Sequence, residues 1–257
     1  MLGGIQLDNE KIIQSVDRAI KILNCFENNE ELGVTEISKL VGLHKSTTFG
    51  LISTLYANGI LEKNDNSGKY KLGLKLFRLG TKVNSSLRHI VVPYLERLVN
   101  MYHETANLVI LHDLSVIYLE KVESPLSIAI STLVGGRQPL HCTAVGKAIL
   151  ANLSSEILKD KISRMELTKF TSNTICDKKT LIESLENIKK KGYAEDFEEL
   201  EIGLHCIAAP ILNHNNMPFA AISISGPTSR MNEDLCREIG LSLVQYTREI
   251  SQKLGFI

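Results

Sequence analysis

Near the start of the chain, apolar residues recur at helical spacing: Val16, Ala19, Ile20, Leu23 and Phe26, with Ser15 placed to cap the first turn. This pattern predicts an amphipathic helix over residues 15–28. After a polar stretch, Thr35 opens a short second helix carrying Ile37, Leu40 and Val41, and Gly42 closes it because glycine takes the left-handed conformation without steric cost. A third helix is expected from about His44 to Asn58, burying Phe49, Ile52, Leu55 and Tyr56 and ending at Gly59. Ile60 and Leu61 then face a Tyr70–Leu72 strand across an Asn66-Ser67-Gly68 turn, the pattern of a β-hairpin. Three helices, a glycine turn and a hairpin make a winged helix-turn-helix.

Residues 74–84 read as a short amphipathic connector helix, and Leu87–Met101 as a longer helix opening a second domain. From residue 105 the period changes, with apolar runs at Leu108–Leu111, Val116–Leu119 and Ile128–Ile130 predicting strands. Helices are expected at about 143–152, 155–163, 178–190 and 231–254, and strands at about 193–197, 206–212 and 219–225; Gly135-Gly136-Arg137 reads as a turn. The expected organisation is a DNA-binding domain over 11–73, a connector over 74–84 and a sensor domain over 85–257, in an α+β chain rather than a doubly wound nucleotide fold.

At 257 residues and 44% hydrophobic composition, the chain is long enough for one or two domains with real cores. The formal net charge is zero, but its distribution is uneven. Between residues 39 and 88 the basic residues Lys39, Lys45, Lys63, Lys69, Lys71, Lys75, Arg78, Lys82 and Arg88 stand against only Glu62 and Asp65. An anionic partner would dock there. Asp8, Glu10 and Lys11 interrupt the first apolar residues, and no run approaches the ~20 apolar residues of a membrane span, so a cytoplasmic protein without a membrane partner is expected. Cysteines at 25, 142, 176, 206 and 236 form no Cys-x-x-Cys and are expected as free thiols. Zinc-ligand spacing, a phosphate-binding loop and a dinucleotide fingerprint are all missing, so neither metal nor cofactor is expected.

A recognition helix needs small polar and basic residues in its first turn, where they reach base edges, and apolar residues on its other face. His44, Lys45, Ser46, Thr47 and Thr48 meet the first demand. Ser46 and Thr47 would also serve simply as helix caps. Lys63, Lys69 and Lys71 on the wing would contact phosphates, although each taken singly also reads as a solvated surface lysine.

The run from Ser15 to Gly80 resembles the DNA-binding domain of the IclR family of bacterial regulators, including its lysine-serine-threonine helix start. Further resemblance follows at PLHCTAVGKAILA (139–151), GYAEDFEELEIGLHCIAAPI (192–211) and PFAAISISGP (218–227). Gly50 departs from the pattern, since the family usually carries arginine there. The resemblance implies a winged helix-turn-helix joined by a connector helix to a GAF-like α/β domain that binds small organic acids. It also implies homodimers, often paired into tetramers, on roughly palindromic double-stranded DNA, with Leu76, Phe77 and Leu79 as candidates for the dimer contact.

Asp196, Cys206, Ser223 and Ser225 each place a polar group among apolar neighbours, which costs free energy unless a partner satisfies it. Ser223 and Ser225 lie two apart on an expected strand, so their hydroxyls face one side. Backbone groups could equally satisfy both hydroxyls. The resemblance implies that these four residues contact a 2-oxo acid or sugar-acid effector, with backbone groups of Ala144 and Val145. Those two residues open a helix whose free amides favour a carboxylate. His205-Cys206 does not read as a catalytic pair, because strand neighbours point to opposite faces. The leading expectation is therefore an effector-controlled, non-enzymatic transcription regulator, with repression the expected mode. A sensor acting through protein contacts and a hydrolase using Cys206 or Ser225 are the alternatives.

Overall fold

The computed structural model describes residues 12–82, 85–130 and 132–255. It divides into two units, one ending at Ser85 and the other beginning at Ser86. The expected domain limits at residues 11, 84 and 257 lie outside the described residues.

The first unit contains α1 (Gln14–Asn24), α2 (Val34–Val41), α3 (Lys45–Ala57), β1 (Leu61–Lys63), β2 (Tyr70–Leu72) and α4 (Leu74–Gly80). Its core draws Ile22 from α1, Ile37 from α2, Ile52 from α3, and Leu61 and Tyr70 from the hairpin. Each fully buried aliphatic side chain contributes roughly 1.5–3 kcal/mol. Leu32 and Tyr70 exchange backbone hydrogen bonds, each 2.9 Å long, which tie the chain before α2 to the hairpin.

Several local expectations require correction. The cap position of α1 is Ile13, whose carbonyl accepts from Val16 and Asp17; Ser15 lies inside the helix. The helix also stops at Asn24, short of 28, and Asn29 Nδ2 donates to the Cys25 carbonyl at 2.8 Å. Gly33, not Thr35, caps α2, because the Glu36 carboxylate reaches back to accept from Gly33 N–H at 2.6 Å. On α3 the inward stripe is Thr48, Ile52 and Leu55, which leaves Phe49 54% and Tyr56 51% exposed. Thr48 tolerates burial because its hydroxyl donates to the His44 carbonyl at 3.1 Å.

The second unit runs α5 (Ser85–Tyr102), β3 (Thr105–His112), β4 (Ser115–Val122), β5 (Arg137–Pro139), α6 (Ala144–Leu150), α7 (Ser155–Arg164), α8 (Lys178–Lys191), β6 (Ala194–Phe197), β7 (Leu204–Leu212), β8 (Pro218–Pro227) and α9 (Glu233–Lys253). Among the described residues its strands form one antiparallel sheet in the order β5-β4-β3-β8-β7-β6. Side-chain alternation splits this sheet into two faces. Leu108, Ile207, Ile222 and Ile224 pack under α5 and α9, while Val109, Ala194, Ala208 and Ala221 pack under α6 and α8. The α+β expectation holds.

The expected strand at Ile128–Ile130 is absent. Pro125 precedes it, and two of its carbonyls are taken by side chains: Arg230 Nη2 donates to Ile128 O at 2.8 Å and Thr105 Oγ1 to Ile130 O at 3.1 Å. Arg137–Pro139 pairs with β4 instead, directly after a Gly135 turn at φ +86°. No helix among the described residues is long and apolar enough to cross a membrane.

Candidate functional site

In the first unit, Gly42 at φ +66° turns the chain between α2 and α3. His44 occupies the α3 cap, and His44, Lys45, Ser46 and Thr47 are all exposed on one first turn. Thr48 is fully buried and does not belong to that surface. Lys63 and Lys71 stand exposed on the hairpin. Lys69 is engaged elsewhere, its ammonium lying 3.1 Å from Glu36, which staples the wing to α2. The Gly33 amide and Lys69 together hold the Glu36 carboxyl below its usual value. Gly50 lies beside the exposed Phe49, and a Cβ added there would meet nothing within 4 Å.

In the second unit, the strand register brings the polar residues together. Asp196 on β6 faces Cys206 on β7, which faces Ser225 on β8, so the three form a row across the strands. Ser223 is paired with Asn107 on β3. Asn107, buried on the same face, donates through Nδ2 to both serine hydroxyls at 3.4 Å and accepts from Thr132 Oγ1 at 2.6 Å. Both serine oxygens act as acceptors there, which leaves their O–H groups available as donors.

These residues enclose a cavity of about 240 Å³, and Ala144, Val145, Asp196, Cys206, Ser223 and Ser225 all line it. Thr143 caps α6 by accepting from Gly146 N–H at 3.1 Å. The first-turn amides of Ala144 and Val145 have no intrahelical acceptor, because a helix satisfies N–H groups only from its second turn onward. Gly146 is required by packing: a Cβ would sit 2.3 Å from the Leu140 carbonyl oxygen. None of the described lining residues is basic, so an anion would be held by hydroxyls and amides.

Burial, with nearby Glu199 adding to it, raises the Asp196 carboxyl to about 6, although Asp196 Oδ1 accepts from Glu199 N–H at 2.8 Å. Burial likewise keeps the Cys206 and Tyr118 groups protonated. A thiol so held is a poor nucleophile. His205 points to the opposite face from Cys206 and meets Cys236, with Nδ1 3.4 Å from Sγ, while its Nε2 lies 3.3 Å from Glu195. Burial raises the Cys236 thiol to about 11, and Cys236 is not among the residues lining the cavity. No cluster of three metal-ligating side chains occurs among the described residues.

Asn107, Thr132 and Thr143 escaped the sequence reading. Asn107 carries the same signal as the serines, a polar residue inside an apolar strand run. Thr143 stands at the start of the helix expected at about 143–152 and could have been read as its cap.

Residues 81–252 match the family described as "Bacterial transcriptional regulator IclR C-terminal", and residues 15–65 match the "IclR helix-turn-helix domain". The chain is 37% identical over 248 residues to the HTH-type transcriptional regulator XynR of Escherichia coli K12, covering 95% of this chain and 98% of that one. It is 34% identical over 248 residues to the transcriptional repressor IclR of the same organism, covering 95% and 90%. The crystal structure of the Thermotoga maritima IclR superposes with a TM-score of 0.80 at 32% identity, covering 94% of this chain and 99% of that one. An IclR homologue from Microbacterium hydrocarbonoxydans, complexed with 4-hydroxybenzoate, shares the fold with a TM-score of 0.84 at 24% identity, covering 93% and 98%. The chain belongs to the IclR family of bacterial transcriptional regulators.

Proposed function

We propose that the protein is a DNA-binding transcriptional repressor whose second unit binds a small carboxylate and thereby sets its DNA affinity. The observation that carries this reading is the cavity in which two serine hydroxyls, the α6 amides and Asp196 converge without a basic residue. At about 240 Å³ it is smaller than the roughly 300–1,000 Å³ of drug-sized pockets. That size suits a compact metabolite of the 2-oxo acid or sugar-acid type. Ser223 and Ser225 donate to the carboxylate with Ala144 and Val145, and Asp196 faces a hydroxyl of the ligand. The 4-hydroxybenzoate complex of a relative supports a carboxylate ligand, and the relatives named as repressors support repression. A Cys206 thiol kept protonated by burial favours binding over thiol-based hydrolysis.

On the DNA side, His44, Lys45, Ser46 and Thr47 read base edges, and Lys63 and Lys71 bind phosphate, in the cytoplasm with the chromosome. One short recognition helix reads too few base pairs for genomic selectivity, so a homodimer, paired into a tetramer, binds a roughly palindromic operator. The exposed Phe77 and Leu79 on α4, with half-buried Leu76, supply the dimer contact. A mobility-shift titration on the DNA upstream of the protein's own gene tests this reading. Salt-sensitive, sequence-specific retention is expected; retention no better than on random DNA overturns it.

A further inference from the structure

Lys147 and Glu199 form an ion pair buried against the wall of the cavity, with Lys147 2% and Glu199 8% exposed. Lys147 belongs to α6, whose first residues line the cavity. Glu199 belongs to the connection between β6 and β7, whose Leu200 and Glu201 line it from another side. That connection departs from β6 through Glu198 at φ +55°, a left-handed conformation rare outside glycine. Further hydrogen bonds pin it: Thr174 Oγ1 donates to the Glu199 carbonyl at 2.6 Å, Thr171 Oγ1 to the Glu198 carbonyl at 2.6 Å, and Gly203 N–H to Glu198 Oε1 at 2.8 Å. The Glu199 amide in turn holds the Asp196 carboxylate at 2.8 Å.

A buried pair of this kind contributes little net stability compared with apolar side chains of the same volume. Here it is also incompletely satisfied, because Glu199 Oε2 has no hydrogen-bond partner among the described residues. Stability therefore does not account for its presence, whereas its position between two walls of the cavity does. We infer that the Lys147–Glu199 pair is the positioning device of the cavity, tying the α6 amides to the connection that carries Asp196's amide donor, Leu200 and Glu201. The inference rests on the cavity being the effector site, and it adds two residues that set effector affinity without touching the effector.

Removing one partner strands a buried charge, so the decisive variant removes both at similar volume: K147M/E199M in the full chain. Hydrogen exchange without ligand is the first measurement. Amides of residues 199–204 are expected to exchange at least tenfold faster in the double variant, while those of β7 and β8 keep their protection and K147R retains protection throughout. Unchanged exchange at 199–204, or acceleration spread evenly through the unit, overturns the inference. The second measurement is calorimetry with pyruvate as the probe, for which the double variant is expected to bind at least tenfold more weakly at unchanged DNA affinity. Equal pyruvate affinity overturns the inference, whereas a wild-type protein that ignores pyruvate counts against the ligand reading and leaves the exchange comparison decisive for the pair.

Discussion

Replacing Ser223 and Ser225 together by alanine removes both hydroxyl donors from the cavity floor while leaving the α6 amides in place. Each hydrogen bond to a charged group is worth roughly 1.5–3 kcal/mol, so effector binding weakens by roughly 3–6 kcal/mol. At about 1.4 kcal/mol per tenfold, that is roughly two to four powers of ten in Kd. The substitution also strands Asn107 Nδ2, which donates to both hydroxyls. A buried donor left without a partner costs about 1–3 kcal/mol, and each kcal/mol lowers Tm by about 2–4 °C in a unit of this size. Destabilisation and lost affinity are thus both expected, and S223A/S225A/N107L, which removes the stranded amide, separates them by recovering Tm without recovering affinity. A thermal-shift screen of carboxylates supplies the ligand, since one at a hundred times its Kd stabilises by about 2.7 kcal/mol. Calorimetry then measures the affinities. Equal affinity in wild type and the double serine variant would refute the reasoning and make the serines purely structural.

DNA recognition is tested by Lys45→Ala with Thr47→Ala, which is expected to lower operator affinity by roughly 2–6 kcal/mol, or about one and a half to four powers of ten, from roughly 1–3 kcal/mol for each of two lost base contacts; fluorescence anisotropy that finds no change removes the docking face. Gly50→Arg places its Cβ where nothing lies within 4 Å, exchanges helix-interior glycine for a better helix former by about 0.8–1 kcal/mol, and is expected to add a phosphate contact. It should therefore raise both the urea midpoint of the first unit and its non-specific DNA affinity at low salt. Asp196, raised to about 6 from 3.8, keeps its proton in the folded state after the unfolded chain has lost it. Stability consequently falls by about 3 kcal/mol as pH rises through that window. Asp196→Asn should flatten this fall in urea titrations, and an identical pH slope in the variant would contradict the buried-acid reading. Glu195 acts in the opposite sense: His205 first and Lys191 next lower it to about 2, so its contribution is lost as pH falls from 4.5.

The helix order of the first unit and the polar row of the second were legible because both depend on residue period. Asp196, Cys206, Ser223 and Ser225 share a face by strict alternation, and the strand register then brings them into one cavity. What failed was whatever a single hydrogen bond decides. Thr48 and Phe49 compete for the inward side of α3, and the His44 carbonyl lets the threonine win. The Ile128–Ile130 run has strand composition, yet Arg230 and Thr105 claim its carbonyls from far along the chain. Lys147 and Glu199 are separated by 52 residues and carry no periodic signal that would pair them.

Alternation on β8 also joins the two sides of the sheet mechanically. Ser223 and Ser225 face the cavity, while Ile222 and Ile224, the residues between and before them, are wedged in the core beneath α5 and α9. A close-packed interior does not deform continuously. A tilt of the strand at the serine hydroxyls would therefore press the isoleucines into the layer formed by α5 and α9. The polar lining of the cavity and the apolar packing beneath α5 and α9 are thus two sides of one strand, and neither can shift without the other.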